Sequence, residues 1–338
     1  MLLLPYLLLA VVSCRPPLPE ETGFYFWRSS FDFGEDKTLA DSLRVKHLYL
    51  HMFDVVWSEG YKGLVPVAES NAMIWDFAHL ADRCDFIPVV YLVNDGLALT
   101  PDSAIERLAT RIAGKLTQMI PPEYWTEFQL DCDWSAETRE RYFHLLRAIH
   151  QHLPPDKQLS CTLRLHQYKY MSASGIPPVD RMSLMCYNMD EIKDLATPNS
   201  IFSPVVLKQY LSHSKYPLTL DIALPVYDWV VVFQGKDFAG ILHNPDYQLL
   251  NDTAFFHETE PHHYQLRRDT AIGNLYLREG DLFRLEKTSP EALREGLSVI
   301  RNVINTEHSR LLFFDWNPKQ LRENYAKEIM DWLPEKRS

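Results

Sequence analysis

Short apolar runs alternate with amphipathic stretches along almost the whole chain. The first run is FYFWRSSF (24–31), and KTLADSLRV after it has helical spacing. A second strand is predicted over 46–57 (KHLYLHMFDVVW) and a third over 86–94 (FIPVVYLVN). Thr100-Pro-Asp then opens a helix, with a capping residue followed by a proline in the first turn. The fourth strand is EFQLDCDW (127–134). Ser135 is placed to cap the helix that follows, whose apolar positions recur at three and four. Strands five, six, seven and eight read QLSCTLRLH (158–166), RMSLMCYN (181–188), PLTLDIALPVY (217–227) and SRLLFFDWN (309–317). A last helix closes the chain.

Eight strands in β-then-α order imply a parallel sheet covered by helices, and eight such units close into a single (β/α)8 barrel of the TIM type. A doubly wound open sheet would want a glycine-rich loop after strand one. None is present, and the chain has only 12 glycines. Residues 235–285 break the pattern and read as an insertion after strand seven. The expected division is 1–13 signal peptide, 14–22 tether and 23–338 barrel. At 338 residues and 46% hydrophobic, the chain has enough apolar material for one large core. A formal net charge of −11 repels phosphate backbones, which argues against nucleic acid as a partner.

Residues 1–13, MLLLPYLLLAVVS, are almost wholly apolar but too short to span a bilayer. They fit the apolar region of a secretory signal. The segment Val-Val-Ser before Cys14 resembles the lipobox of bacterial lipoproteins. That resemblance implies lipidation at Cys14, a membrane partner through that anchor, and a place in the bacterial cell envelope. An ordinary signal peptide is the alternative. The remaining cysteines, Cys84, Cys132, Cys161 and Cys186, show no Cys-x-x-Cys spacing and read as buried thiols.

Functional side chains of such barrels come from the C-terminal strand ends. Those ends carry Trp27 and Arg28, Asp54 and Trp57, Asn94 and Asp95, Asp131 and Asp133, Arg164 and His166, Tyr187 and Asn188, Tyr227 and Trp229, and Asp315 and Trp316. Carboxylates mixed with aromatics suit a carbohydrate: acids for proton transfer, rings for stacking. In FQLDCDW, alternation puts Asp131 and Asp133 on one face and Cys132 on the other. Crowding two carboxylates pushes one pKa up. A purely structural role stays open, with Asp133 capping a helix and Asp131 paired to Arg164. His257, His262 and His263 lie beside Glu258 and Glu260 but match no zinc spacing. No metal and no cofactor are expected, and no Gly-x-Ser-x-Gly turn is present.

Several of these segments resemble the chitinase-type glycoside hydrolases, family 18. LDCDWS (130–135) is similar to their strand-four motif, MCYN (185–188) to strand six and LDIALPVYDW (220–229) to strand seven. FFDWN (313–317) falls where they place a strand-eight tryptophan. The resemblance implies inner-aspartate roles for Asp131 and Asp133. It sets Tyr187 near the reacting acetamido group and Trp316 at the floor of the sugar site. Trp27, Arg28, Asp54, Trp57, Arg164, His166, Asn188 and Tyr227 are then expected to bind substrate.

One position departs from the motif. Where the family has its general-acid Glu, this chain has Ser135, and Phe128 and Gln129 replace the motif's first Asp and Gly. General acid catalysis contributes roughly 10²–10⁴-fold. Three explanations stand open: Asp133 or another acid (Asp54, Asp190 or Asp315) serves instead; Glu137 reaches back; or the barrel binds glycans without cleaving them, as chitinase-like lectins do.

Overall fold

The computed structural model describes residues 19, 21–33, 37–211, 216–243, 246–272 and 275–333. The expected signal segment and Cys14 lie outside these residues. Eight parallel strands form the centre: β1 (Glu21–Phe26), β2 (Val45–Ser58), β3 (Asp85–Leu92), β4 (Glu127–Asp131), β5 (Gln158–Arg164), β6 (Arg181–Met185), β7 (Thr219–Pro225) and β8 (Arg310–Phe314). Each pairs with the next, and β1 pairs with both β2 and β8, so the sheet closes into a (β/α)8 barrel. Helices cover it through one apolar face each. Helix Ile105–Met119 buries Ile105, Leu108, Ala109, Ile112, Ala113 and Leu116, the three-and-four spacing of a single stripe. Among the described residues no helix is long and apolar enough to cross a membrane.

The barrel has two unlike ends. At the end where the strands start, Arg310 donates to the fully buried Glu127 (2.6 Å) and to Tyr49 Oη (2.9 Å). Arg181 forms a bidentate pair with buried Asp221 beside it. Paired charges in this position fasten strands together, and the chemistry of such barrels sits at the other end. A belt lies between. There Tyr25 donates to Gln129 (2.8 Å), and the Gln129 amide donates to Ser160 and Ser183. Cys84, Cys132, Cys161 and Cys186 are free and buried.

Local chemistry shifts several boundaries from those the sequence suggests. Thr100 does not open the next helix. Its hydroxyl donates back to the Gly96 carbonyl (2.8 Å) and closes helix Asn94–Leu99, and the following helix begins at Ile105. Ser135 does not cap a helix either. The chain turns once more and starts helix Arg139–His152 after Thr138, whose hydroxyl accepts from the Ser135 backbone N–H (3.0 Å). Strand β5 stops at Arg164, because Leu165 begins a short helix, Leu165–Lys169. Strand β2 overshoots the barrel and folds back on Gly63–Val67 as a hairpin. Gly96 fits against that hairpin because it lacks a side chain: a Cβ there would meet Leu64 at 2.6 Å.

Between β7 and helix Pro290–Arg301 the chain builds a five-stranded antiparallel sheet. In spatial order its strands are Asp237–His243, Trp229–Gln234, Leu282–Glu286, His263–Leu266 and Phe256–Glu260. One face packs Val231 and Phe233 into the main core, and the other holds a separate cluster around Val230, Phe256 and Phe283.

Candidate functional site

Register sets the site. Asp54 on β2 pairs with Tyr91 on β3, and Tyr91 pairs with Asp131 on β4, so the three side chains stand level at the strand ends. Asp131 is 5% exposed and accepts from Thr162 Oγ1 at 2.6 Å. Burial raises its carboxyl above the usual aspartate range, with Arg164 pulling the other way. Asp133 lies just past the strand and is exposed. Arg164, at the end of β5, donates to both of its oxygens, with Nη2 to Oδ2 at 3.2 Å. Burial opposes charge on Arg164, but Asp131 and Asp133 outweigh it and hold the guanidinium protonated. Across β2, His51 is hydrogen-bonded through Nε2 to Asp54 Oδ1 at 2.7 Å, and its ring lies 4.8 Å from that of Trp27.

An aromatic floor adjoins these acids, centred on Phe314. Its ring centroid is 5.3 Å from Tyr187 and 5.8 Å from each of Tyr25, Trp27 and Tyr227. The Phe314–Asp315 peptide bond is cis. Burial raises the phenol pKa of Tyr187 and Tyr227, and burial next to Asp133 and Asp131 pushes that of Tyr91 up to about 12. All three are therefore protonated donors at neutral pH. Tyr227 donates to Asn188 Oδ1 at 2.6 Å. Asn188 has φ of 51°, a left-handed conformation that asparagine tolerates better than most residues. A cavity of about 310 Å³ opens beside this floor, lined by Asp133, Arg164, His166, Tyr187, Asn188 and Tyr210 among others.

The antiparallel sheet holds one wall. Buried Glu286 accepts from Ser200 (backbone N–H 3.0 Å, hydroxyl 2.6 Å), from Trp229 Nε1 (2.7 Å) and from Arg284 (2.7 Å). Arg284 also donates to the carbonyls of Ile192, Asp194 and Leu195. Ser200 and Ile201 in turn accept from the backbone of Met189 and Asn188. The sheet thus fixes the loop that carries Asn188.

Three expected residues stand elsewhere, and a fourth, His166, reaches the site by another route. Trp316 is 1% exposed and packs between Phe24 and Phe33 on the helix side of the barrel. Phe314, two residues earlier, faces inward in its place. Trp57 shares the outward face of β2 with Phe53 and Val55, and its indole donates to Glu59 at 3.0 Å. Arg28 is occupied by the Trp316 carbonyl and by Asp32. His166 does not alternate with Arg164 on a strand; it projects from the short helix and reaches the cavity from the side. Other strand-end residues have local partners: Asn94 accepts from Thr138 (2.6 Å), Asp190 accepts from the Glu191 backbone, and Asp95 and Glu137 are exposed. Burial raises the Asp315 carboxyl, which lies near Arg28. His257, Glu258 and Glu260 are exposed on an edge strand, and among the described residues no three His, Cys, Asp or Glu side chains are grouped to hold a metal ion.

Sequence reasoning missed His51, Tyr91 and Phe314. Tyr91 was legible, since it precedes the end of an apolar strand by the right count. His51 was not, because an irregularity in β2 places it.

No protein-family model matches the chain, and no curated protein matches its sequence. Solved structures do match its fold. The spore cortex-lytic enzyme SleL of Bacillus cereus superposes with a TM-score of 0.55 at 16% identity, over 94% of this chain and 75% of that one. A chitinase from Bacteroides thetaiotaomicron gives 0.59 at 11% identity, over 94% and 97%. A glycoside hydrolase family 18 N-acetylglucosaminidase from Paenibacillus barengoltzii gives 0.55 at 12% identity, over 93% and 100%. The chain shares the barrel fold of these three proteins.

Proposed function

We propose that the strand-end cleft binds a glycan and hydrolyses a glycosidic bond in it. One observation carries this reading: an aromatic floor of Phe314, Tyr187, Tyr227 and Trp27 adjoins the Asp131–Asp133–Arg164 group at the end of the barrel where chemistry is housed. Aromatic faces stack on the apolar faces of sugar rings, and carboxylates accept from their hydroxyls or move protons. The fold shared with chitinases and a cortex-lytic enzyme supports a carbohydrate rather than another ligand. The test is titration with a panel of oligosaccharides, chitin fragments first, followed by product analysis. Binding with chain shortening supports the reading, and a panel without any binder overturns it.

A second reading, glycan binding without cleavage, draws on position 135. Ser135 offers no carboxyl there, and its N–H and hydroxyl both face Thr138. Binding with unaltered oligosaccharide after prolonged incubation would favour it.

For location we propose a bacterial cell envelope lipoprotein anchored through Cys14. The support is the apolar segment ending at Cys14. Strand β1 also starts, at Glu21, on the end of the barrel opposite the cleft. A chain tethered there would turn its cleft away from the membrane.

A further inference from the structure

Strand β2 contains one residue too many. In its pairing with β3, His51 stands opposite Val89 and Phe53 opposite Val90, so Met52 has no partner. A regular strand alternates faces, and residues three apart point to opposite sides. The extra residue resets that alternation. Val89 and Tyr91, the β3 partners of His51 and Asp54, are two apart and share one face, and Val89 belongs to the cluster inside the barrel. His51 and Asp54 therefore both point inward, where they meet at 2.7 Å. Bulges occur disproportionately beside active sites, where they re-aim a side chain.

The two members are unequally exposed. His51 is buried against Trp27, with 6% of its side chain open, whereas 27% of the Asp54 side chain is open. Asp54 stands level with Asp131 two strands away, so their backbones are about 10 Å apart by the usual strand spacing. Inward-pointing side chains of a closed barrel converge, so the two carboxyls point toward the same end of the barrel interior. Tyr91 occupies the strand between them.

We infer that Asp54, aimed into the cleft by the β2 bulge and backed by His51, is the cleft's proton-transfer carboxyl, in a chain whose position 135 is serine. This rests on the hydrolytic reading above. The His51–Asp54 pair gives a proton to the glycosidic oxygen as the bond from C1 to that oxygen breaks, and the bonding electrons leave with the oxygen. Asp133, ion-paired with Arg164, faces the positive charge left on the sugar. A water oxygen then bonds to C1, and the proton it releases returns to the pair. Glycoside and water become two hydroxyl products, and the protein is unchanged. Asp54 is the catalytic residue in this step and His51 a positioning residue. A base oriented by a second side chain is a recurring device of enzymes.

The experiment compares wild type, Asp54→Asn and His51→Gln on 4-methylumbelliferyl chitobioside and chitin tetrasaccharide, with circular dichroism as a check on folding. Asp54→Asn is expected to lower kcat by on the order of 10²–10⁴-fold, with KM within about threefold. His51→Gln keeps a hydrogen-bond donor but cannot titrate, and is expected to displace one limb of the pH–rate profile. Asp131 and Tyr91 face the pair, and Asp133 and Arg164 lie next to those two, so Asp133→Asn is profiled alongside to separate their limbs. A folded Asp54→Asn variant turning over at the wild-type rate overturns the inference and leaves the hydrolytic reading standing. A wild-type protein that binds these probes but never cleaves them overturns both. A pH profile untouched by His51→Gln removes the role given to His51.

Discussion

Arg164 donates through Nε and Nη2 to the two carboxylate oxygens of Asp133, and the same guanidinium faces buried Asp131. One cation thus serves two acids of different character, one open to solvent and one enclosed. The pair is planar and bidentate, a geometry that lysine cannot reproduce. Arg164→Lys should therefore reduce turnover of a bound oligosaccharide by about tenfold or more while retaining the charge. Asp133→Asn should cost on the order of 10² in turnover. Because 44% of the Asp133 side chain is open to water, its loss should change folding stability by no more than about 1 kcal/mol. Steady-state kinetics beside urea denaturation separates the two effects.

Asp131 gives a pH signature. Its folded-state pKa lies above the unfolded value because the carboxyl is buried. Folding then takes up a proton, so this residue's stabilisation is complete below the unfolded value of about 3.9 and is lost as pH rises through the raised one. Asp131→Asn removes that dependence. The stability of wild type relative to Asp131→Asn should fall with rising pH across this window, by up to about 1.4 kcal/mol per unit. Denaturation midpoints measured from pH 4 upward read this directly. A difference independent of pH would show that Asp131 titrates alike in both states.

Phe314 and Trp316 should separate binding from stability. Phe314 meets four rings at the cleft, whereas Trp316 is sealed between Phe24 and Phe33. Phe314→Ala should weaken oligosaccharide binding by about 10-fold or more, by analogy with the roughly 1–3 kcal/mol of other ring-stacking contacts. Trp316→Ala should instead destabilise the fold by about 3–5 kcal/mol. The milder Trp316→Phe should bind oligosaccharide as wild type does. Calorimetric titration and thermal melts check the pair.

The Arg284–Glu286 pair is buried to within 1% exposure on both sides and ties the antiparallel sheet to the loop over 188–201. Removing one partner leaves an uncompensated buried charge, at a cost of about 3–5 kcal/mol. Arg284→Met should accordingly lower stability by that amount and raise amide exchange over 188–201 before the barrel strands are affected. Exchange mass spectrometry checks the order.

If Cys14 carries a lipid, cells fed labelled palmitate should label the wild-type chain and fail to label Cys14→Ser. The variant should then appear in the soluble fraction.

The barrel was legible because its strands are short apolar runs and its helices single stripes, patterns that depend on periodicity alone. Asp131 and Arg164 were legible for the same reason, since alternation sets the face of a residue within a strand, and Asp133, just past the end of β4, joins them through its pair with Arg164. Alternation failed wherever a strand was irregular. The unpaired Met52 reset the face of Asp54 and brought in His51, and no residue type in HLYLHMFD announces it. At the end of β8, the family resemblance pointed to Trp316, but the chain leaves the strand at Phe314 and turns Trp316 toward the helices. The β2 hairpin escaped notice because its return strand, GLVPV, is short and holds a proline, which an edge strand tolerates.

The most direct measurement is a crystal structure of Asp133→Asn with chitin hexasaccharide bound. The expected result is a sugar ring resting on Phe314 between Trp27 and Tyr187, with its glycosidic oxygen turned toward Asp54. An oligosaccharide seated elsewhere, or a cleft filled by its own side chains with no sugar at saturating concentration, would contradict it.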